Sequence, residues 1–113
     1  MKQLNETQKV LLTLICNSGE LVFAAGPKGV SANLVGEFKV ERNSKGEDQL
    51  NVGNGTNHVH IDWSIVSKVE IGDFHGEGML SFLNDKLETL FKIYRLSGAF
   101  GSDLSKFQNR ELF

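Results

Sequence analysis

The chain is poor in several features that would have placed it in a large functional class. It has one cysteine, Cys16, so no disulfide can form within it, and a reducing interior suits it. It has no excess of either charge: twelve Lys and Arg face fourteen Asp and Glu, a formal net charge of -2 over 113 residues. That balance leaves no electrostatic footprint for nucleic acid or an anionic membrane. No stretch approaches the roughly 20 apolar residues of a membrane span. The start has one short apolar run, Val10 to Leu12 and then Leu14 and Ile15, close behind Asn5, Glu6 and Gln8. A signal peptide wants a basic head, a longer apolar core and a small-residue cleavage site. These absences point to a cytoplasmic protein with neither a nucleic acid nor a membrane as partner.

Catalytic signatures are also missing. No Gly-rich loop is followed by Lys-Ser or Lys-Thr, and there is no Gly-x-Ser-x-Gly elbow, dinucleotide fingerprint or paired-cysteine zinc pattern. Gly76-Glu77-Gly78 lacks a third glycine and precedes a strand-like run, so it reads as a hairpin connection. Asp62, Glu70, Asp73 and Glu77 are scattered over strand faces and turns in the ordinary solvated pattern. Cys16 falls on the apolar side of a short helix, as a core filler would.

What is present is one domain's worth of ordinary globular sequence, 40% hydrophobic and 23% charged, spanning residues 1–113. Asn5 with Gln8 three residues on resembles a capping box, and Leu4 sits where a hydrophobic staple would. Leu11, Leu14 and Ile15 follow at helical spacing and Asn17-Ser18-Gly19 stops the run, predicting a helix over 5–17. From Glu20 to Arg95 short apolar, β-branched and aromatic runs alternate with turn chemistry, predicting an antiparallel meander. The strands fall near 20–25, 30–35, 37–42, 48–52, 57–71, 78–83 and 88–95. In the last of them Leu87, Phe91 and Ile93 face inward, with Leu90 out of phase. Leu104, Phe107 and Leu112 share a helical face in a closing segment over 98–113.

The clearest stretch is 57–71. Its odd positions, Val59, Ile61, Trp63, Ile65, Ser67, Val69 and Ile71, form an apolar face broken only at Ser67. Its even positions, from His58 and His60 to Glu70, are polar apart from Val66. One register therefore suits the whole run unless a bend near Asp62–Ser64 resets it. His58 and His60 share the polar face. They are either two solvated strand histidines or ligands of a metal or metallated cofactor through neutral ring nitrogens. His75, in the following turn, is a weaker third candidate.

The run Gly55-Thr56-Asn57-His58-Val59-His60-Ile61-Asp62, then Met79-Leu80-Ser81-Phe82-Leu83-Asn84, then Leu90-Phe91-Lys92-Ile93-Tyr94, resembles the haem-utilization family of HemS, ChuX and HutX type. Val35-Gly36-Glu37-Phe38 is similar to that family's Ser-Gly-Glu-Leu, and the similarity runs from about Gly19 to Tyr94. The resemblance implies an α+β fold, a large twisted antiparallel β-sheet with an N-terminal and a C-terminal helix. It also implies a cytoplasmic haem carrier, a homodimer, that handles haem without turning over a substrate and meets a haem donor or acceptor protein. His60 aligns with the family's His-Ile position and inherits the role of axial iron ligand; His58 has no counterpart. Phe74, Met79 and Tyr94 would cover the porphyrin, and Lys92, Arg95 and Lys68 would meet the propionates. The second histidine that some ChuX-like members carry on an early strand falls near Gly26 here, and the N-terminal helical part is shorter. Those departures keep other readings open: an interaction module of the same fold that has lost haem, a His-based metal site, or haem degradation.

Overall fold

The computed structural model describes residues 4–26, 29–42, 44–46, 48–53, 57–74 and 77–95, together with 104 and 107. The first element is the helix α1, Glu6–Cys16. Asn5 caps it as the spacing predicts: its side chain accepts from the Gln8 amide at 2.8 Å, and the Gln8 side chain accepts from the Asn5 amide at 3.1 Å. Leu11, Leu12 and Ile15 bury the inner face of α1 against the sheet, and Leu4 is buried just before the cap.

Seven strands follow: β1 Glu20–Ala25, β2 Ala32–Arg42, β3 Asp48–Val52, β4 Asn57–Val59, β5 Lys68–Phe74, β6 Glu77–Leu83 and β7 Thr89–Arg95. They form one antiparallel sheet in the order β4-β3-β2-β1-β7-β6-β5. The arrangement is two meanders, β1 to β4 and β5 to β7, joined where β7 pairs with β1. The inward face carries Leu21, Phe23, Phe38, Leu50, Val52, Val69, Leu80, Phe82, Phe91 and Ile93, all buried. Phe82 and Phe91 face each other across β6 and β7 and stack at 4.5 Å between ring centres, and Phe23 extends the stack from β1 at 5.1 Å.

Three expectations are corrected. The strands expected at 30–35 and 37–42 are one strand, β2, whose first half pairs with β1 and whose second half pairs with β3. The change of partner falls between Glu37 and Phe38, next to Gly36, where the backbone after β3 comes so close that an added Cβ would lie 2.6 Å from the Gly53 Cα. Glycine there marks a close backbone approach within a strand, not the end of one. The strand expected over 57–71 is two strands at opposite edges of the sheet, β4 and β5. Between them Asp62 caps a single 3-10 turn, Trp63–Ile65, accepting from the Ser64 amide at 3.1 Å and the Ser64 hydroxyl at 2.6 Å. That turn shifts the phase, so Ile65 is 54% exposed while Val66 is fully buried. Leu87, expected inward on the last strand, instead occupies the β6–β7 turn at φ 63° and is exposed.

The segment 60–67 crosses from one sheet edge to the other. Seven flat strands would place those edges about 29 Å apart. Nine residue steps with a 3-10 turn among them reach roughly 26 Å at full stretch, so the sheet curls around its core. Trp63 plugs the open side, edge-on to Phe82 and Phe91 at 6.1 and 6.0 Å. The crossing is held by Gln8 Nε2 donating to the Trp63 carbonyl at 3.3 Å and by the Ser67 amide donating to the Leu83 carbonyl at 2.7 Å. The closing helix expected over 98–113 lies outside the described residues except Leu104 and Phe107, both of which are buried in the core.

Candidate functional site

Strand β4 is three residues long and lies at the sheet edge. It pairs Val59 with Leu50 and His58 with Asn51. Val59 packs against the core, so the pleat turns His58 to the outer face. His60 follows the last strand residue. Its ring centre lies 5.0 Å from that of His58, with the ring planes at 86°, and both imidazoles are exposed. Beside them the sheet surface is polar and well tied. The buried Asn51 donates through Nδ2 to Glu41 Oε1 at 2.8 Å and accepts at Oδ1 from Gln49 Nε2 at 3.0 Å. Lys39 stands opposite Asn51 on β2, in the same cross-strand row as His58.

Of the other residues singled out from sequence, Met79, Tyr94 and Lys92 form a separate group. Met79 on β6 and Tyr94 on β7 face outward in one row with Val22 and Val35; Lys92 lies in the next row, with Ser81 and Ala24. From β4 to β7 is four strand spacings, about 19 Å along the sheet. Lys68 is farther still, on the opposite edge strand β5, and Arg95 ends β7 opposite Leu21. Phe74 ends β5 in register with Glu77, while His75 lies outside the described residues. The structure thus brings His58 to His60, and Met79 to Tyr94 and Lys92, but not the two groups to one another. Val22 and the 55%-exposed Val35 complete the apolar outer row and were not singled out from sequence. Their contribution depends on β1 lying beside β7, which no local pattern announces.

A groove of about 500 Å³ between α1 and β2 was not foreseen either. Leu4, Leu12, Cys16, Phe38 and Val40 line it, with Lys9 and Lys39 at its rim. Burial pushes the Cys16 thiol above its ordinary pKa, and a contact with the Val40 backbone offsets part of that rise. Cys16 is partly buried against the core, the environment of a packing residue, not of a thiolate nucleophile. Among the described residues no three His, Cys, Asp or Glu side chains cluster as a metal cage, and no helix is long and apolar enough to cross a membrane.

No protein-family model and no curated protein matches the sequence. Solved structures do. A structure of the heme-binding protein ChuX superposes with a TM-score of 0.58 at 15% identity, covering 89% of this chain and 67% of that one. A second ChuX crystal structure gives 0.56 at 15% identity, covering 87% and 65%. The fold is that of ChuX. A protein from Erwinia carotovora shares it, with a TM-score of 0.57 at 20% identity over 76% of this chain and 55% of that one. The chain therefore spans between 55% and 67% of the length of these ChuX-like structures. The ChuX-like fold that the sequence resemblance implies is present, with its antiparallel sheet and N-terminal helix.

Proposed function

We propose that this chain binds haem and carries or buffers it in the cytoplasm, with the His60 imidazole as axial iron ligand and His58 beside it as the alternative donor. The observation that carries this reading is an exposed imidazole pair at the edge of a ChuX-like sheet. Neutral imidazole nitrogens suit haem iron, and the iron supplies the coordination that holds the group. Lys39 stands in the same cross-strand row as His58, with its ammonium 4.0 Å from the Glu41 carboxylate, and would exchange that exposed pair for a propionate. Lys92, Tyr94 and Met79, which share the outer face, serve the same haem only if a second copy lays them over the histidine pair, whereas Arg95, opposite the buried Leu21, has the parity of the other face. A homodimer is therefore part of the proposal, and delivery to or from a donor or acceptor protein would follow from it.

Titrating the haem-free protein with hemin tests the reading. The expected result is a Soret shift at one haem per chain that is lost in His60→Ala. A Soret band unchanged in that variant removes the ligand. A second reading is favoured by the outer row in which the exposed Val35 stands beside the half-buried Val22, Tyr94 and Met79: an interaction module of the same fold that uses its outer face for a protein partner. No Soret shift at micromolar hemin, together with a stable dimer in sedimentation, selects that reading.

A further inference from the structure

We infer that His58 and His60 form a chelating site for a single borderline divalent cation of the Cu²⁺, Ni²⁺ or Zn²⁺ kind, open to solvent and formed when no haem occupies His60. The geometry points to it. An imidazole nitrogen binds such a metal at about 2.0–2.1 Å, and its ring centre lies roughly 1.1 Å farther back. Two rings sharing one metal at an angle between about 90° and about 109° therefore have centres about 4.5 to 5.1 Å apart. The observed separation is 5.0 Å, with the ring planes nearly perpendicular at 86°. Both rings are exposed, so small rotations about χ1 and χ2 suffice to aim a nitrogen of each at a common point.

The local backbone makes this a chelate and not two independent imidazoles. β4 is tied to β3 at Asn57, His58 and Val59, and Asn51 under His58 is itself held by Glu41 and Gln49. Two residues beyond His60, Asp62 anchors the chain at the 3-10 turn. The histidines are thus held between two fixed points. With two protein ligands and no third ligating side chain clustered among the described residues, water completes the coordination. A site of that kind exchanges its metal and is suited to sensing or passing on a cation. A permanently held structural metal would be enclosed by four protein ligands.

The test uses the full, haem-free chain after exhaustive chelation. Isothermal titration with CuCl₂, NiCl₂, ZnCl₂ and MnCl₂ is expected to give one site, tightest for Cu²⁺ and weakest for Mn²⁺. His58→Ala and His60→Ala should each weaken Cu²⁺ binding by roughly a hundredfold, since either change converts a bidentate site to a monodentate one. The electron paramagnetic resonance spectrum of the Cu²⁺ form should show two imidazole nitrogens, falling to one in either variant. Unchanged far-ultraviolet circular dichroism confirms that the variants fold. Cu²⁺ binding indifferent to both substitutions, or a spectrum with one nitrogen in the unaltered protein, overturns the inference. Because no haem is present, this outcome is separate from the hemin titration, and either result can fail while the other stands.

Discussion

Gln8 joins two parts of the molecule that are far apart in sequence. Its Oε1 completes the α1 cap and its Nε2 reaches the Trp63 carbonyl, both from a side chain only 2% exposed. Gln8→Ala removes a cap partner and also one of the two donors to the Trp63 carbonyl, which keeps only the Val66 amide at 3.2 Å. It should therefore cost about 2 kcal/mol, against about 1 kcal/mol for Asn5→Ala, which loosens the cap alone. Urea unfolding of the two variants checks the order, and equal losses would show that the Trp63 contact contributes nothing. Cys16 gives a second prediction at this scale. Its folded pKa is raised, so folding favours the neutral thiol. The associated stability is complete below the unfolded thiol value of about 8.5 and is lost as pH rises from there through the folded value. Unfolding free energy should fall more steeply over that alkaline window in the unaltered protein than in Cys16→Ala. Parallel slopes would mean the thiol titrates alike in both states.

The strands meet one another through backbone as well as side chains, and Gly36 is where that matters most. An added Cβ would lie 2.6 and 2.7 Å from the Gly53 Cα and amide nitrogen, and backbone atoms cannot step aside as a flexible side chain can. Gly36→Ala should destabilise by about 1–3 kcal/mol and loosen the β2–β3 pairing, read as faster amide exchange at Asn51 and Gly53, whose amides face β2. A variant as stable as the parent, with unchanged exchange, would show that the approach can widen freely. The same position explains one limit of reading this sequence. Alternation reports which face of a strand is buried, and it placed β1, β3, β6, β7 and the α1 cap well. It cannot report that Gly36 sits beside a change of partner, between Glu37 and Phe38, inside one strand. Nor can it report that Asp62–Ser64 turns one apparent strand into two edge strands. The imidazoles at 58 and 60 were legible as exposed neighbours because two residues suffice to fix that. The distance from them to Lys92 and Tyr94 was not, because it depends on β7 returning to β1, a pairing set by the whole sheet.

Closure of the curled sheet rests on one segment, 60–67, and on Trp63, which is 3% exposed beneath Phe82 and Phe91. Trp63 is the sole tryptophan, so its fluorescence reports the crossing directly. If the crossing is integral to the core, the fluorescence transition in urea coincides with the circular dichroism transition of the sheet, as for one cooperative unit. Trp63→Ala should then cost about 3–5 kcal/mol, because the cavity opens against the stacked Phe82 and Phe91 rings, which are held to one another and cannot collapse into it. Hydrogen exchange would show the loss spread over β5, β6 and β7 together with α1, since Gln8 and Leu83 both bond to the crossing. An earlier fluorescence transition, with β6 and β7 still protected, would mean the segment detaches as a strap over an already stable sheet. The placement of His60 would then be loosened with it, since that histidine lies on the same crossing between β4 and Trp63.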